Sequence, residues 1–160
     1  MKLYDLFFEQ RIPCNSDEAW DFFSSPGNLS KITPSDMNFV ITSRPDGNSK
    51  IYPGMIITYE VSPIKGVKMN WVTEITHIKQ NEYFIDEQRL GPYGFWQHQH
   101  HFEKIEGGIK MIDKLYYALP YGILGRLANS IFAKNELKKM FSYRTKKIEE
   151  IFGIYKETGA

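Results

Sequence analysis

The chain has 160 residues, 42% hydrophobic and 24% charged. It is long enough to bury a core without disulfides and too apolar for a disordered segment. Its 20 basic and 19 acidic side chains leave a net charge of +1, which supplies no field to attract nucleic acid. The one cysteine, Cys14, excludes an internal disulfide, and no window approaches the ~20 apolar residues that span a bilayer. The N-terminus lacks a basic stretch followed by an apolar run. The expectation is therefore a single domain over residues 1–160, cytoplasmic, with no transmembrane segment.

Leu3 to Ile12 reads as a strand that Pro13 ends. Asn15 or Ser16 can cap the helix that follows, and Ala19, Trp20 and Phe23 share one of its faces. Ser25-Pro26-Gly27-Asn28 stops it, and Leu29 to Ile32 supplies a second short helical turn. The period then changes to two. Strands are predicted over Asn38 to Ser43, Met55 to Val61 (closed by Pro63) and Val67 to Ile75. Three more follow, over Tyr83 to Arg89, Phe95 to Lys104 and Ile109 to Tyr117. The connections carry turn residues: 44–48, Gly66, Asn81, Gly91 to Gly94 and Gly107-Gly108. Short turns between short strands imply an antiparallel meander.

After Pro120 no proline interrupts the chain up to Phe152, and the segment reads as helix. Its apolar stripe is split. Leu124, Leu127, Ala128 and Ile131 mark one face; Leu137, Phe141, Ile148 and Phe152 mark another. A kink or two helices are expected near Ala133 to Glu136. Lys134, Lys138, Lys139, Arg144, Lys146 and Lys147 read as a solvated basic face. The fold class is α+β. A curved antiparallel sheet of six or seven strands wraps around a long C-terminal helix, with two short helices after the first strand.

The chemistry concentrates in Phe95 to Phe102. Alternation puts Trp96, His98, His100 and Phe102 on one face, and the two aromatics turn that face inward. The Gly107-Gly108 hairpin brings Asp113 alongside, and Phe84, Asp86 and Gln88 share the parity from the preceding strand. A polar cluster of His98, His100, Asp113, Asp86 and Gln88 is predicted inside an apolar container. Such a cluster can be a self-satisfied buried network, can orient the polar end of a ligand, or can be an acid–base pair. His98 and His100, ~6.6 Å apart on one strand, could also chelate a metal with Asp113, but His-x-His in a strand is common packing, and no metal is assigned. Cys14 reads as an ordinary small residue and His77 as exposed.

The spaced pattern resembles the START-like (SRPBCC) proteins. It runs through Glu18-Ala19-Trp20-Asp21-Phe22-Phe23, Ile32-Thr33-Pro34, Trp71 with Glu74, Asp86-Glu87-Gln88, Trp96-Gln97-His98, Pro120-Tyr121-Gly122 and Phe141 with Tyr143-Arg144. It covers roughly residues 3 to 152. The resemblance implies the helix-grip fold and a cavity between sheet and long helix. It does not imply one activity, since the superfamily includes carriers and cyclases. The leading expectation is binding of a small apolar or amphipathic molecule, such as a lipid, isoprenoid or polyketide-like compound, without a cofactor. Tyr59, Trp71, Phe84, Trp96, Leu115, Tyr117 and Phe141 would form walls. Asp86, Gln88, His98, His100 and Asp113 would meet the polar end. The alternative is a cyclase- or hydrolase-type enzyme using His98 or His100 with Asp113.

Overall fold

A computed structural model describes residues 2–43, 49–64, 67–128 and 132–157. Seven antiparallel strands form one sheet in the order β1-β7-β6-β5-β4-β3-β2. They are β1 (Tyr4–Ile12), β2 (Val40–Ile41), β3 (Ile56–Ile64), β4 (Val67–Lys79), β5 (Tyr83–Leu90), β6 (Phe95–Ile105) and β7 (Gly108–Ala118). Helix α1 (Ser16–Phe23) and a 3-10 turn (Pro26–Ile32) follow β1, and α2 (Gly122–Ala128) and α3 (Lys134–Phe152) follow β7. This is the helix-grip arrangement.

Local chemistry explains the boundaries. Asn15 accepts from the Glu18 backbone N–H, and Glu18 accepts from that of Asn15, so both ends of a capping box close around the start of α1. The expected strand from Asn38 to Ser43 shrinks to Val40–Ile41. Asn38 is left-handed at φ 45°, and the N–H groups of Thr42 and Ser43 both point at the Thr58 carbonyl. Pro63 does not close β3, which runs on to Ile64. The pairing with β4 skips between Val61 and Ile64, and such an irregularity tolerates a residue without an N–H. Two further register shifts, at Val72/Thr73 and Ile75/His77, add curvature. The turn expected at 44–48 and Gly66 lie outside the described residues.

The described residues of the C-terminal helical region fall in α2 and in α3, which starts at Lys134; residues 129–131 between them lie outside the described residues. Leu124 and Leu127 do not form a buried stripe: both are exposed on α2, while Ile131 lies outside the described residues. On α3 the buried positions are Leu137, Phe141, Arg144 and Ile148, a spacing of four, three and four that lies along one helix face. Phe8 of β1 stacks on Phe141 at 4.0 Å between ring centres, and the Gln10 side chain donates to the Thr145 carbonyl at 3.0 Å. These contacts fix α3 across the sheet. At one end Trp20 sets its ring edge-on against Phe84 and Phe102, with Ile109, Met111 and Ile148 around them. At the other end Leu6, Trp71, Trp96, Leu115 and Tyr117 pack on Leu137 and Phe141. Among the described residues no helix is long and apolar enough to cross a membrane.

Candidate functional site

Strand register assembles the polar cluster. On β6, His98 stands opposite Asp86 of β5 and His100 stands opposite Asp113 of β7. Residues two apart on a strand share a face, so all four side chains converge on the helix side of the sheet. The hydrogen bonds run diagonally. His98 Nε2–H donates to Asp113 Oδ1 at 2.8 Å, and His100 Nε2–H donates to Asp86 Oδ2 at 2.9 Å. The ring nitrogens are the donors because an ionised carboxylate has no hydrogen to give. The remaining nitrogens also face carboxylates. His98 Nδ1 is 3.7 Å from Asp86 Oδ2, and His100 Nδ1 is 3.0 Å from Asp113 Oδ1. That second approach is within ion-pair range but too poorly aligned for a hydrogen bond, so His100 Nδ1 is buried without one. The two imidazoles lie 3.8 Å apart, and Phe84 stacks on His100 at 4.2 Å.

Burial alone would raise both carboxyls. The hydrogen bonds from the histidines and their charge outweigh it, so Asp113 is held well below the usual carboxylate range and Asp86 is also lowered. The histidines separate. Burial pushes both down, but His100 has two carboxylates against it and ends above its ordinary value. For His98 burial prevails, helped by the neighbouring charge on His100, and its pKa falls. Of the two histidines, His100 therefore holds its proton more tightly than His98.

A cavity of about 150 Å³ opens between this cluster, the inner faces of β3 to β6 and α3. Its walls are apolar: Phe22, Leu29, Ile57, Trp71, Phe84 and Trp96 are among them. Its polar side chains include Asp86, His98, His100, Tyr59, Thr73 and Arg144, with Ser25, Asn28 and Thr33 beside the Pro26–Ile32 turn. The Tyr59 and Thr73 hydroxyls lie 2.6 Å apart and share one hydrogen bond. Burial, and then the charge of Asp86, push the Tyr59 pKa far up, so it stays a phenol.

Of the residues named from the sequence, Tyr59, Trp71, Phe84, Asp86, Trp96, His98 and His100 line this cavity. Asp113 stands one step back, bonded to His98. Leu115, Tyr117 and Phe141 are not on the wall; they are buried in the cluster behind Trp71 and Trp96, which do line it. Gln88 stands outside the cluster. Its side chain donates to the Tyr93 carbonyl at 2.7 Å and accepts from the Tyr93 N–H at 3.2 Å, bracing the β5–β6 turn. Arg144 belongs to the cavity and not to a solvated face: it is 7% exposed. Its place seven residues after Leu137 and four before Ile148 carried that signal. Phe22, Leu29, Ile32 and Met37 had no such signal, because they come from segments outside the strand pattern. His77 is exposed, and burial pushes the Cys14 thiol up to about 11, away from reactivity. Asp86, His98 and His100 hold ligand-type atoms within 4.8 Å of one another, a spacing a cation could use, but those atoms are already engaged with one another and with Asp113.

Solved structures share this helix-grip fold along almost the whole chain. Protein TTHA0849 from Thermus thermophilus superposes with a TM-score of 0.70 at 16% identity, over 92% of this chain and 95% of that one. The major latex-like protein 151 of Panax ginseng gives 0.68 at 15% identity, over 94% and 97%. A Thalictrum norcoclaurine synthase point mutant, solved with a transition-state analogue, gives 0.65 at 12% identity, over 94% and 96%. These likenesses show the fold. No family model and no curated protein sequence matches the chain.

Proposed function

We propose that this protein binds a small molecule with an apolar body and a polar end, in the cavity between the sheet and α3. The observation that supports this most directly is the cavity itself: aromatic and aliphatic walls that end on Asp86, His98, His100 and Arg144. Sites for small ligands combine those two features. The volume narrows the ligand class. A dry cavity of about 150 Å³ takes up benzene, whereas drug-sized ligands occupy roughly 300–1,000 Å³. The body that fits is about one ring, and a lipid chain or isoprenoid needs α3 or the Pro26–Ile32 turn to move.

The enzyme reading is weaker on geometry. A general acid or base needs a nitrogen directed at the substrate. All four imidazole nitrogens of His98 and His100 face carboxylates instead. We carry the one-domain organisation and a reducing, cytoplasmic setting as parts of the same proposal; the lone buried Cys14 favours the second.

Titrating toluene and indole into the protein, followed by backbone amide NMR, is expected to give saturable shifts concentrated on β3 to β6. Absence of saturable shifts with both would remove this reading. Native mass spectrometry of gently purified protein is expected to show an added mass of one small organic molecule.

A further inference from the structure

Arg144 is a buried cation without a hydrogen bond among the described residues. The residue is 7% exposed and lines the cavity. Its Nε is sealed from solvent without an acceptor. Among the described residues its guanidinium forms no hydrogen bond, and no carboxylate lies within 4.0 Å of it; its one close charge-related contact is the face of Phe141, 5.1 Å from Cζ to the ring centre. A buried lysine can shed its proton; a guanidinium cannot, so its burial cost has to be met by an acceptor. Among the described residues Asp86 is a carboxylate that feels the Arg144 charge, and its Oδ2 is already engaged by His100.

A second donor faces the same space. Tyr59 and Thr73 share a single hydrogen bond, whichever atom donates. Two hydroxyls have two hydrogens, so one is left over. Both residues line the cavity with Arg144, and the Arg144 charge is felt at Tyr59. Thus, among the described residues, one part of the cavity holds guanidinium N–H groups and one hydroxyl hydrogen that no protein acceptor receives.

Resting on the cavity-binding reading above, we infer that the polar end of the ligand is a carboxylate, held by Arg144 and by the free hydroxyl of the Tyr59–Thr73 pair, with its one-ring apolar body against Trp71, Phe84 and Ile57. A carboxylate matches the guanidinium fork with two parallel hydrogen bonds. The competing account makes Arg144 a purely structural counter-charge to Asp86, bridged to it by water. That account predicts no preference for an acid over its amide.

The test compares phenylacetate with phenylacetamide, and with toluene as the apolar reference, by calorimetry or NMR at pH 7 on the full chain. Hydrogen bonds to a charged group are worth enough to make the acid bind at least about tenfold more tightly than the amide. In Arg144→Met that ratio is expected to fall to about one, with the melting temperature at or above that of the parent protein; Arg144→Gln serves if the first variant does not fold. Equal binding of acid and amide to the parent protein, while toluene binds, overturns the carboxylate and leaves the cavity reading intact. An unchanged ratio in both variants overturns the role of Arg144. No binding of any of the three overturns the carboxylate and the cavity reading together.

Discussion

The two ends of one interior differ in how they are filled. Around Trp20, Phe102, Ile109, Met111 and Ile148 the sheet, α1 and α3 close on one another with ring against ring and no charge. A few residues further along the same strands and the same helix, Ile57, Trp71, His98 and Arg144 leave space and hold polar atoms. The first arrangement is what apolar burial produces when nothing else is asked of it, at roughly 25 cal/mol for each Å² removed from water. The second gives up some of that gain. It keeps a gap and a charge that a Leu or Met would remove, and such sacrifices mark functional sites.

The sharpest way to break this comparison is at its dry end. Trp20→Ala removes the ring between Phe84 and Phe102 and is expected to lower the unfolding free energy by about 3–5 kcal/mol. A loss below about 1 kcal/mol in chemical denaturation would mean that this end is not close-packed. Next in size is the polar cluster. Asp113→Asn strips the ionised acceptor from His98 and leaves His100 with one carboxylate, at an expected cost of about 3 kcal/mol. A neutral outcome would mean that the network is solvated instead of buried.

The pH response separates the ends further, because the buried histidines His98 and His100 sit at the hollow end. His100 faces Asp86 on β5, His98 on its own strand, Asp113 on β7 and, across the cavity, Arg144 on α3. Its pKa is raised above the 6.5 of an ordinary histidine. The stability it contributes is therefore complete below about pH 6.5, where the unfolded chain is protonated too. It is lost as pH rises through the higher folded value. Unfolding free energy should fall as pH rises above about 6.5, by at most about 1.4 kcal/mol per pH unit for one proton. In His100→Gln the slope should flatten, and a slope unchanged from the parent would assign it elsewhere. His98, with its lowered pKa, acts in the other direction and below pH 6.5, where the unfolded chain takes up a proton that the folded one refuses.

The smallest expected contrast compares one methyl group at each end. Ile109→Val at the packed end should cost about 1 kcal/mol, and Ile57→Val on the cavity wall about half of that, because atoms beside a gap already lack partners on one side. Equal losses would indicate that the cavity closes in solution.

Several features of this molecule are local and can be read one segment at a time. Alternation along β4, β6 and β7 set which side chains face inward, and a two-residue strand period decided the common face of His98 and His100. The Asn15–Glu18 capping box and the Gly107 turn, left-handed at φ 71°, likewise need no distant partner. The cluster itself was half legible. Parity placed Asp86 and Asp113 correctly, but parity also offered Gln88, whose amide the Tyr93 backbone claimed.

Tertiary structure decided what depends on which surface an element meets. Leu124 and Leu127 have an apolar spacing, yet they are exposed, and Arg144 has a charge, yet it is buried. A periodic pattern fixes which residues share a face, and only packing against a second element fixes whether that face is covered. The same holds for the order of the proton affinities in the cluster. The strand pattern told that two histidines and two aspartates could meet; the distances between them across β5, β6 and β7 determined which histidine binds its proton more tightly. Sequence alone established the fold and the polar face of one strand. The gap beside that face, and the unmet guanidinium that points to what fills it, exist only once α3 lies across the sheet.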